Sequence, residues 1–330
     1  MRAPGFWNGD GGGLAPLLLA PLAAVYAAVT ARRVTRPGWA APVPVVCCGN
    51  ATAGGAGKTT VALDLGRRLA DRGIAAHFLL RGYGGSLRGP LRVDPAAHDS
   101  EAVGDEALLL AAERPAWISG DRAAGARAAI AGGAQLIVMD DGLQNPTLVK
   151  DLSLLIIDGS YGFGNGRVIP AGPLREPVAA AASRSRAVVL IGEDETGALA
   201  HLPPSLPVLR AQLRPGPEAE LLAGQPVYAF CGIGNPRKFF ATLTEAGAML
   251  AGRMAFADHY PFDAGDMRDL LAEAETLRAI PVTTRKDFVR IPPEFRPRVT
   301  VVTIRLEWAD DTAIEALLDP LAQRVPVLAC

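Results

Sequence analysis

Between an apolar run at 43–49 and a stretch of helical periodicity at 58–72, the chain reads Thr52-Ala53-Gly54-Gly55-Ala56-Gly57-Lys58-Thr59. A strand, a glycine-rich turn and a helix in that order constrain the fold more than any other segment. They place the loop at the carboxyl edge of a parallel α/β sheet. Glycines let successive backbone N–H groups turn toward a phosphate, and the helix N-terminus adds its positive end. Lys58 then reaches the β- and γ-phosphates, and Thr59 ligates Mg²⁺. The segment departs from G-x-x-x-x-G-K-[ST] at one place, where Thr52 takes the position of the first glycine. An ordinary Gly-rich turn has no need of Lys-Thr after its last glycine. Residues 52–59 are therefore read as a nucleotide-binding loop.

A magnesium site of this kind draws on a carboxylate at the end of a neighbouring strand. Leu136-Ile137-Val138-Met139-Asp140-Asp141 is an apolar strand ending in two acids. Asp140 and Asp141 join Thr59 as candidate metal ligands, although Asp141-Gly142 alone would pass for a turn. Further strands are expected at 75–80, 116–119, 152–158 and 187–192, with helices at 105–113 and 121–131. Strands alternating with helices imply a mostly parallel sheet covered on both faces. Residues 200–225 are rich in Pro and Gly and read as a linker. A second α/β set follows: strands at 227–231 and 281–284, helices at 236–246 and 266–277, an irregular or extended 248–256, and one strongly β run at 299–306. A closing helix at 312–322 is placed to pack back on the first domain. The expected partition is an apolar membrane-associating segment (1–40), a P-loop core (41–211), a linker (212–225), a smaller α/β domain (226–290), and a return strand and helix (291–330).

The chain of 330 residues carries 33 basic and 34 acidic side chains. That balance provides no basic field for nucleic acid, which is bound by neutralising phosphates. A hydrophobic content of 49% excludes disorder. Only four of the basic residues are lysines, Lys58, Lys150, Lys238 and Lys286. In so arginine-rich a chain, Lys58 stands out, because a compact ammonium on a flexible stem suits close approach to phosphate. Cys47, Cys48, Cys231 and Cys330 form no C-x-x-C pair and read as buried thiols of a reducing compartment. Cys47 and Cys48 point to opposite faces of their strand.

The N-terminus differs from the rest. Phe6 and Trp7 precede a Gly-rich turn, residues 14–29 are nearly all apolar but for Pro16 and Pro21, and Arg32, Arg33 and Arg36 follow. A secretory signal places its charge before the apolar run. The run itself is short and proline-interrupted for a membrane span. Two readings remain: a buried helix, or a helix lying at a membrane surface with Phe6 and Trp7 at the interface and the arginines on anionic headgroups.

Asp105 and Glu106 open a helix, where acids suit the dipole. Asp258-His259-Tyr260 is a second polar cluster, and a carboxylate brought to an imidazole deprotonates a hydroxyl. The two lie in different expected domains, so a site made from them forms between the domains. Loop clusters at Arg81-Gly82-Tyr83-Gly84, Asp121-Arg122 and Gly172-Pro173-Leu174-Arg175-Glu176 place arginines where an anionic substrate sits.

In order along the chain stand the phosphate loop after Gly49-Asn50, Leu80-Arg81-Gly82-Tyr83-Gly84, Val103-Gly104-Asp105-Glu106 and Asp140-Asp141-Gly142-Leu143-Gln144. Phe163-Gly164-Asn165-Gly166, Pro170-Ala171-Gly172-Pro173-Leu174-Arg175-Glu176 and Cys231-Gly232-Ile233-Gly234-Asn235-Pro236 come next. Phe256-Ala257-Asp258-His259 and Thr283-Thr284-Arg285-Lys286-Asp287 complete the set. This ordered set, with the N-terminal Phe6-Trp7 and apolar stretch, resembles the tetraacyldisaccharide 4′-kinase (lipid A 4′-kinase) family over nearly the whole chain. The resemblance implies two α/β/α domains joined by a two-stranded linker, the P-loop lying in the larger. It implies ATP and Mg²⁺ as cofactors and an acylated glucosamine disaccharide 1-phosphate lipid as acceptor at its 4′-hydroxyl. It implies a peripheral place on the cytoplasmic face of the bacterial inner membrane, with no obligate protein partner. It also implies that Lys58 and Thr59 serve phosphate and metal, Asp140 and Asp141 the metal, and Asp105 with His259 the base. Glu106, Arg122, Gln144, Arg175 and Glu176 would line the active site. Three positions depart from the family pattern: Leu143-Gln144-Asn145 stands for Phe-Gln-His, Arg285 for Glu, and Thr60 for the proline after Lys-Thr.

Two rivals are weighed. A membrane-recruited regulatory P-loop ATPase switch would act through protein partners; a GTPase form lacks its Asn-Lys-x-Asp signature, which Thr284-Arg285-Lys286-Asp287 does not supply. A soluble small-molecule kinase or ligase would have no need of the N-terminal apolar stretch.

Overall fold

The computed structural model describes residues 4–9 and 13–325, so Cys330 lies outside the described residues. α1 (Leu14–Val34) precedes β1 (Val45–Gly49), and the phosphate loop delivers the chain into α2 (Lys58–Asp71). Next come β2 (Ala76–Leu80), β3 (Leu91–Arg92), α3 (Ser100–Val103), α4 (Asp105–Ala111) and β4 (Ala116–Ile118). α5 (Arg122–Ala131), β5 (Leu136–Asp140), β6 (Leu152–Asp158), α6 (Val178–Ser183), β7 (Ala187–Ile191) and β8 (Val208–Pro215) follow. The second set is β9 (Pro226–Cys231), α7 (Pro236–Glu245), β10 (Met249–Ala255), α8 (Ala264–Thr276), β11 (Ile280–Thr284), α9 (Arg285–Phe288) and β12 (Thr300–Val302). β13 (Ile304–Trp308) and α10 (Asp311–Ala322) close the chain.

Nine strands form the larger sheet in the order β13-β8-β7-β6-β1-β5-β2-β4-β3, and four form the smaller, β10-β9-β11-β12. All pairs are parallel except those made by β3 and β13 at the two edges of the larger sheet. β1 lies between β5 and β6. The phosphate loop therefore leaves from a central strand, and Asp140 ends the strand beside it. Alternation along β1 divides its side chains between two cores. Val46 and Cys48 pack with Val61, Leu65 and Leu69 of α2, while Val45 and Cys47 pack with Met139 and Leu143 on the other face. Both thiols are fully buried, and burial pushes Cys47 up to about 11. The facing expected of these two cysteines is the one observed.

Two stretches differ from their sequence reading. The run 299–306 is two strands in two different sheets, with the crossing at Thr303. Uniform β-propensity carries no mark of that crossing. The Pro/Gly-rich stretch read as linker contains β8, paired parallel to β7 and antiparallel to β13. Pro203, Pro204, Pro207, Pro215 and Pro217 flank or end this strand rather than interrupt it, which is where sheets tolerate proline. The boundary expected at 211/212 falls inside it. β8 and β13 together form a paired two-stranded connection to the smaller sheet. It is clasped where it leaves, because Gly216 N donates to Thr303 O at 2.9 Å and the Glu218 carboxylate accepts from Thr303 N.

α10 lies against α2. Arg68 pairs with Asp311 and Glu315, and Arg72 with Glu315 and Asp319. Trp308 of β13 donates its indole N–H to buried Asp64 of α2 at 2.7 Å.

α1 is not a core helix. Only Pro16, Ala23 and Thr30 are buried, whereas Leu14 and Leu18 are 76% and 77% exposed, with Leu17, Leu22, Val25 and Val29 also open. The helix runs to Val34, beyond the apolar run, and its 21 residues are long and apolar enough to cross a membrane. Its alanine face, Ala20, Ala23, Ala24 and Ala27, lies along Arg167, Val168 and Ala171.

Candidate active site

The phosphate loop takes its shape from backbone geometry. Gly54 and Gly57 have φ of 128° and 82°, in the region that favours glycine. A Cβ on Gly57 would also meet Ile191 Cδ1 at 2.5 Å. Thr52 shows no such φ and instead forms a backbone bridge with Leu174, so its position needs no glycine. Ala53 N donates to Pro173 O and Arg175 N to Ala51 O, each at 2.7 Å. Asn50 Nδ2 donates to Thr52 Oγ1 at 3.0 Å and to Gly54 O at 3.4 Å, staking the loop from inside. Gly55 is exposed at the loop's tip, and Ala56 is buried behind it. Lys58 is buried, folds back to Gly54 O at 3.3 Å and lies 3.8 Å from Asp141 Oδ1.

Thr59 Oγ1 donates to Asp140 Oδ2 at 2.8 Å. Asp140 Oδ1 is buried with no hydrogen-bond partner. Burial and the Glu106 carboxylate push Asp140 up to about 7, with Lys58 and Thr59 opposing. A buried carboxylate with an orphaned oxygen and an acidic neighbour, beside a hydroxyl at a helix N-terminus, fits a hard divalent cation. Asp141 differs. Its φ is 56°, and it pairs with Arg175 Nη1 at 2.6 Å. Burial would raise it, but Lys58, Arg175 and Arg122 outweigh burial and hold it below the usual carboxylate range.

The arginines converge on these acids. Arg122 is 97% shielded, donates to Ser119 O through Nη1 and leaves Nε unpartnered. Burial pulls it down to about 10, Asp141 opposing. Gln144 Nε2 bridges Asn50 O at 2.9 Å and Glu176 Oε1 at 2.8 Å. Arg184 then fixes both oxygens of buried Glu176 at 2.6 and 2.5 Å. Gln144 and Glu176 thus brace the loop from behind, and Arg184 is a member of this brace that the sequence reading missed.

From the smaller sheet, His259 reaches across. Its Nδ1 lies 2.7 Å from Asp105 Oδ2 at the start of α4, while Nε2 is 3.8 Å from Asp258. His259 has φ of 60° and is pinned by its own N–H to Gly232 O at 3.0 Å. A non-glycine residue held in that region marks a position fixed by its surroundings. Those surroundings are an aromatic cluster, with Phe256 and Tyr260 4.5 Å apart and Phe262 5.1 Å from Phe256. Gly232 has no room for a Cβ, which would sit 2.9 Å from Ala257 O. Asp105, expected from the sequence to meet His259 between domains, does so here.

Two further residues were not singled out. Arg290 is almost fully buried 3.5 Å from Asp105 and holds Asp287 at 2.6 Å. Only the motif containing Asp287 hinted at this pair. Phe6 and Trp7, expected at a membrane interface, clip onto the loop that carries Arg175. Trp7 Nε1 donates to Pro170 O at 3.1 Å, and Asn165 Nδ2 to Phe6 O at 2.8 Å.

A parallel sheet with a lysine-bearing phosphate loop, a buried acid on the adjacent strand and an Asp–His pair across the cleft defines a P-loop phosphotransferase of two α/β parts. A family model described as tetraacyldisaccharide-1-P 4′-kinase matches residues 15–323. A tetraacyldisaccharide 4′-kinase of Gluconacetobacter diazotrophicus is 59% identical over 97% of this chain and 98% of its own. One from Rhodospirillum rubrum is 55% identical over 97% and 98%. The crystal structure of the "apo" form of LpxK from Aquifex aeolicus in complex with ATP superposes with a TM-score of 0.75 at 24% identity, covering 93% of this chain and 99% of that one, and shows the same fold. The chain belongs to the tetraacyldisaccharide-1-P 4′-kinase family.

Proposed function

We propose that this chain transfers the γ-phosphoryl group of ATP to the 4′-hydroxyl of a tetraacylated glucosamine disaccharide 1-phosphate, in lipid A biosynthesis at the cytoplasmic face of the inner membrane. The observation that carries the reading is the 2.7 Å contact between Asp105 and His259, beside a phosphate loop. A regulatory ATPase needs its loop and its metal acid, but has no use for a carboxylate–imidazole pair assembled from two sheets.

Phosphoryl transfer depends on positioning and charge neutralisation more than on covalent chemistry. Lys58 and the N–H groups of residues 54–59 bind the phosphates, and Arg122 and Arg175 add positive charge where negative charge develops on the transferring group. Thr59 and Asp140 would hold Mg²⁺. The chemistry such an ion would supply there is neutralisation of charge on the transferring phosphoryl group. Asp105 takes the proton of the sugar hydroxyl, and His259, hydrogen-bonded through Nδ1, orients it. Both parts must close for the pair to form, so water is excluded as the base is assembled. The exposed apolar face of α1 seats the protein on the bilayer that holds its acyl-chain substrate. Arg32 and Arg33 in its last turn lie next to anionic headgroups.

The test is acceptor dependence. Purified protein is given radiolabelled ATP, Mg²⁺ and tetraacyldisaccharide 1-phosphate in mixed micelles. Label in the lipid at the 4′ position supports the reading. ATP hydrolysis without labelled lipid, or hydrolysis stimulated only by a protein partner, refutes it in favour of the switch.

A further inference from the structure

We infer that Arg290 is a positioning residue for phosphoryl transfer, fixing the Asp105–His259 pair from the side of the smaller sheet. The inference rests on Asp105 being the base. Arg290 follows α9 and is 98% shielded, yet every nitrogen of its guanidinium has work. Nη1 donates to Tyr260 O at 3.0 Å, and Nη2 to Gly232 O at 3.1 Å and to Asp287 Oδ1 at 2.6 Å. Nε donates to Lys286 O at 3.4 Å and faces Asp105 Oδ2 at 3.5 Å.

Two of the three carbonyls it holds, Gly232 O and Tyr260 O, define the His259 loop. Gly232 O is also the acceptor for His259 N–H, and Tyr260 is the next residue. Asp287 is itself fixed by Gly232 N at 2.8 Å and by the Thr284 hydroxyl at 2.5 Å. One guanidinium therefore ties the loop carrying the imidazole to the carboxylate that the imidazole orients. Its contact and the contact from His259 fall on the same oxygen of Asp105, Oδ2, which leaves Oδ1 for the substrate hydroxyl. With His259 hydrogen-bonded to that oxygen and the Arg290 charge 3.5 Å from it, the carboxylate's rotation is set as well as its place. A rigid planar fork spreads four acceptors and the Asp105 contact over three nitrogens, whereas an ammonium has three donors on a single nitrogen.

The charged and titratable groups around Asp105 are Arg290, His259 and Glu106, with Asp258 and Asp287 one contact further out. Arg290 is the buried cation among them, and its loss would remove the buried positive charge that both Asp105 and Asp287 face.

The test compares R290K, R290Q and D105A, each as the full chain with ATP and tetraacyldisaccharide 1-phosphate in mixed micelles. Thermal scans report folding. R290Q is expected to lose kcat by about tenfold or more and R290K by about threefold. The KM for ATP stays within about twofold in both, because the phosphate loop is untouched. In the D105A background, adding either Arg290 change costs little further, since the two act as a unit. Wild-type kcat in R290K or R290Q overturns the inference. So does a KM for ATP that rises in step with the loss, or a loss that persists undiminished without Asp105. If R290Q does not fold, R290K carries the same three readouts. Full activity in D105A alone overturns the base assignment and is told apart by that single variant.

Discussion

Asp140 and Asp141 are adjacent in sequence and opposite in setting. Asp140 is buried, faces Glu106 and keeps one oxygen unpartnered, whereas Asp141 is drawn down by Lys58, Arg175 and Arg122. The first suits a cation and the second an arginine-lined cleft. Asp140→Asn should therefore abolish the Mg²⁺-dependent tightening of ATP binding, read by titration calorimetry with and without the metal. Equal Mg²⁺ dependence in the variant would remove Asp140 from the metal site. Asp105→Ala should keep ATP affinity within about twofold yet lose transfer by about 10²–10⁴, the range for a general base. Lys58, Thr59, Asp140 and the Asp105–His259 pair were all legible in the sequence. A phosphate loop is local, so its spacing encodes its geometry, and the other acids sit at strand or helix ends that the pattern locates. Arg290 and Arg184 were not legible. Each is one arginine among many, and its meaning comes from the carboxylate that folding places beside it.

At the scale of elements, the connection between the two sheets is the least expected feature. β8 hid in a Pro/Gly-rich stretch because its prolines fall at its margins, and a single β run concealed the crossing at Thr303. Element type was readable from periodicity, but which sheet a strand joins is set by long-range pairing that no local signal records. Glu218 clasps this crossing. Burial would raise its carboxyl, but hydrogen bonds from Thr303 outweigh burial and hold it below its ordinary 4.5. A depressed carboxylate stabilises the fold fully above that ordinary value, and the contribution is lost as pH falls through the lowered one. Glu218→Gln should thus destabilise the fold at pH 7, by about 0.5–1 kcal/mol once solvent screening at this partly exposed site is counted. Urea melts of variant and parent should converge as the pH falls through that lowered value. A constant gap between them at all pH values would contradict the assignment.

At the scale of the whole molecule, an apolar helix and a phosphate loop meet through one segment. Residues 163–176 bind Phe6 and Trp7 at one end and pair with the phosphate loop at the other. α1 is thereby tied to the catalytic body while its leucines stay open. Replacing Leu18 and Leu22 together by Glu should abolish co-flotation with anionic phospholipid vesicles and leave ATP affinity unchanged. Retained flotation would move the membrane contact elsewhere. The choice between a core helix and a surface helix was not available from the sequence, since both are apolar and only the packed structure shows which side chains lack neighbours.

The central claim is that the reacting centre is built jointly by the two sheets, Asp105 from one and His259 from the other. The most direct measurement is single-turnover transfer of labelled phosphate from ATP to tetraacyldisaccharide 1-phosphate by the parent, Asp105→Ala and His259→Ala proteins, with ATP binding measured on the same samples. The account predicts label at the 4′ position for the parent, and for both variants near-parental ATP affinity with transfer reduced by about 10² or more. Parental transfer by either variant would contradict it.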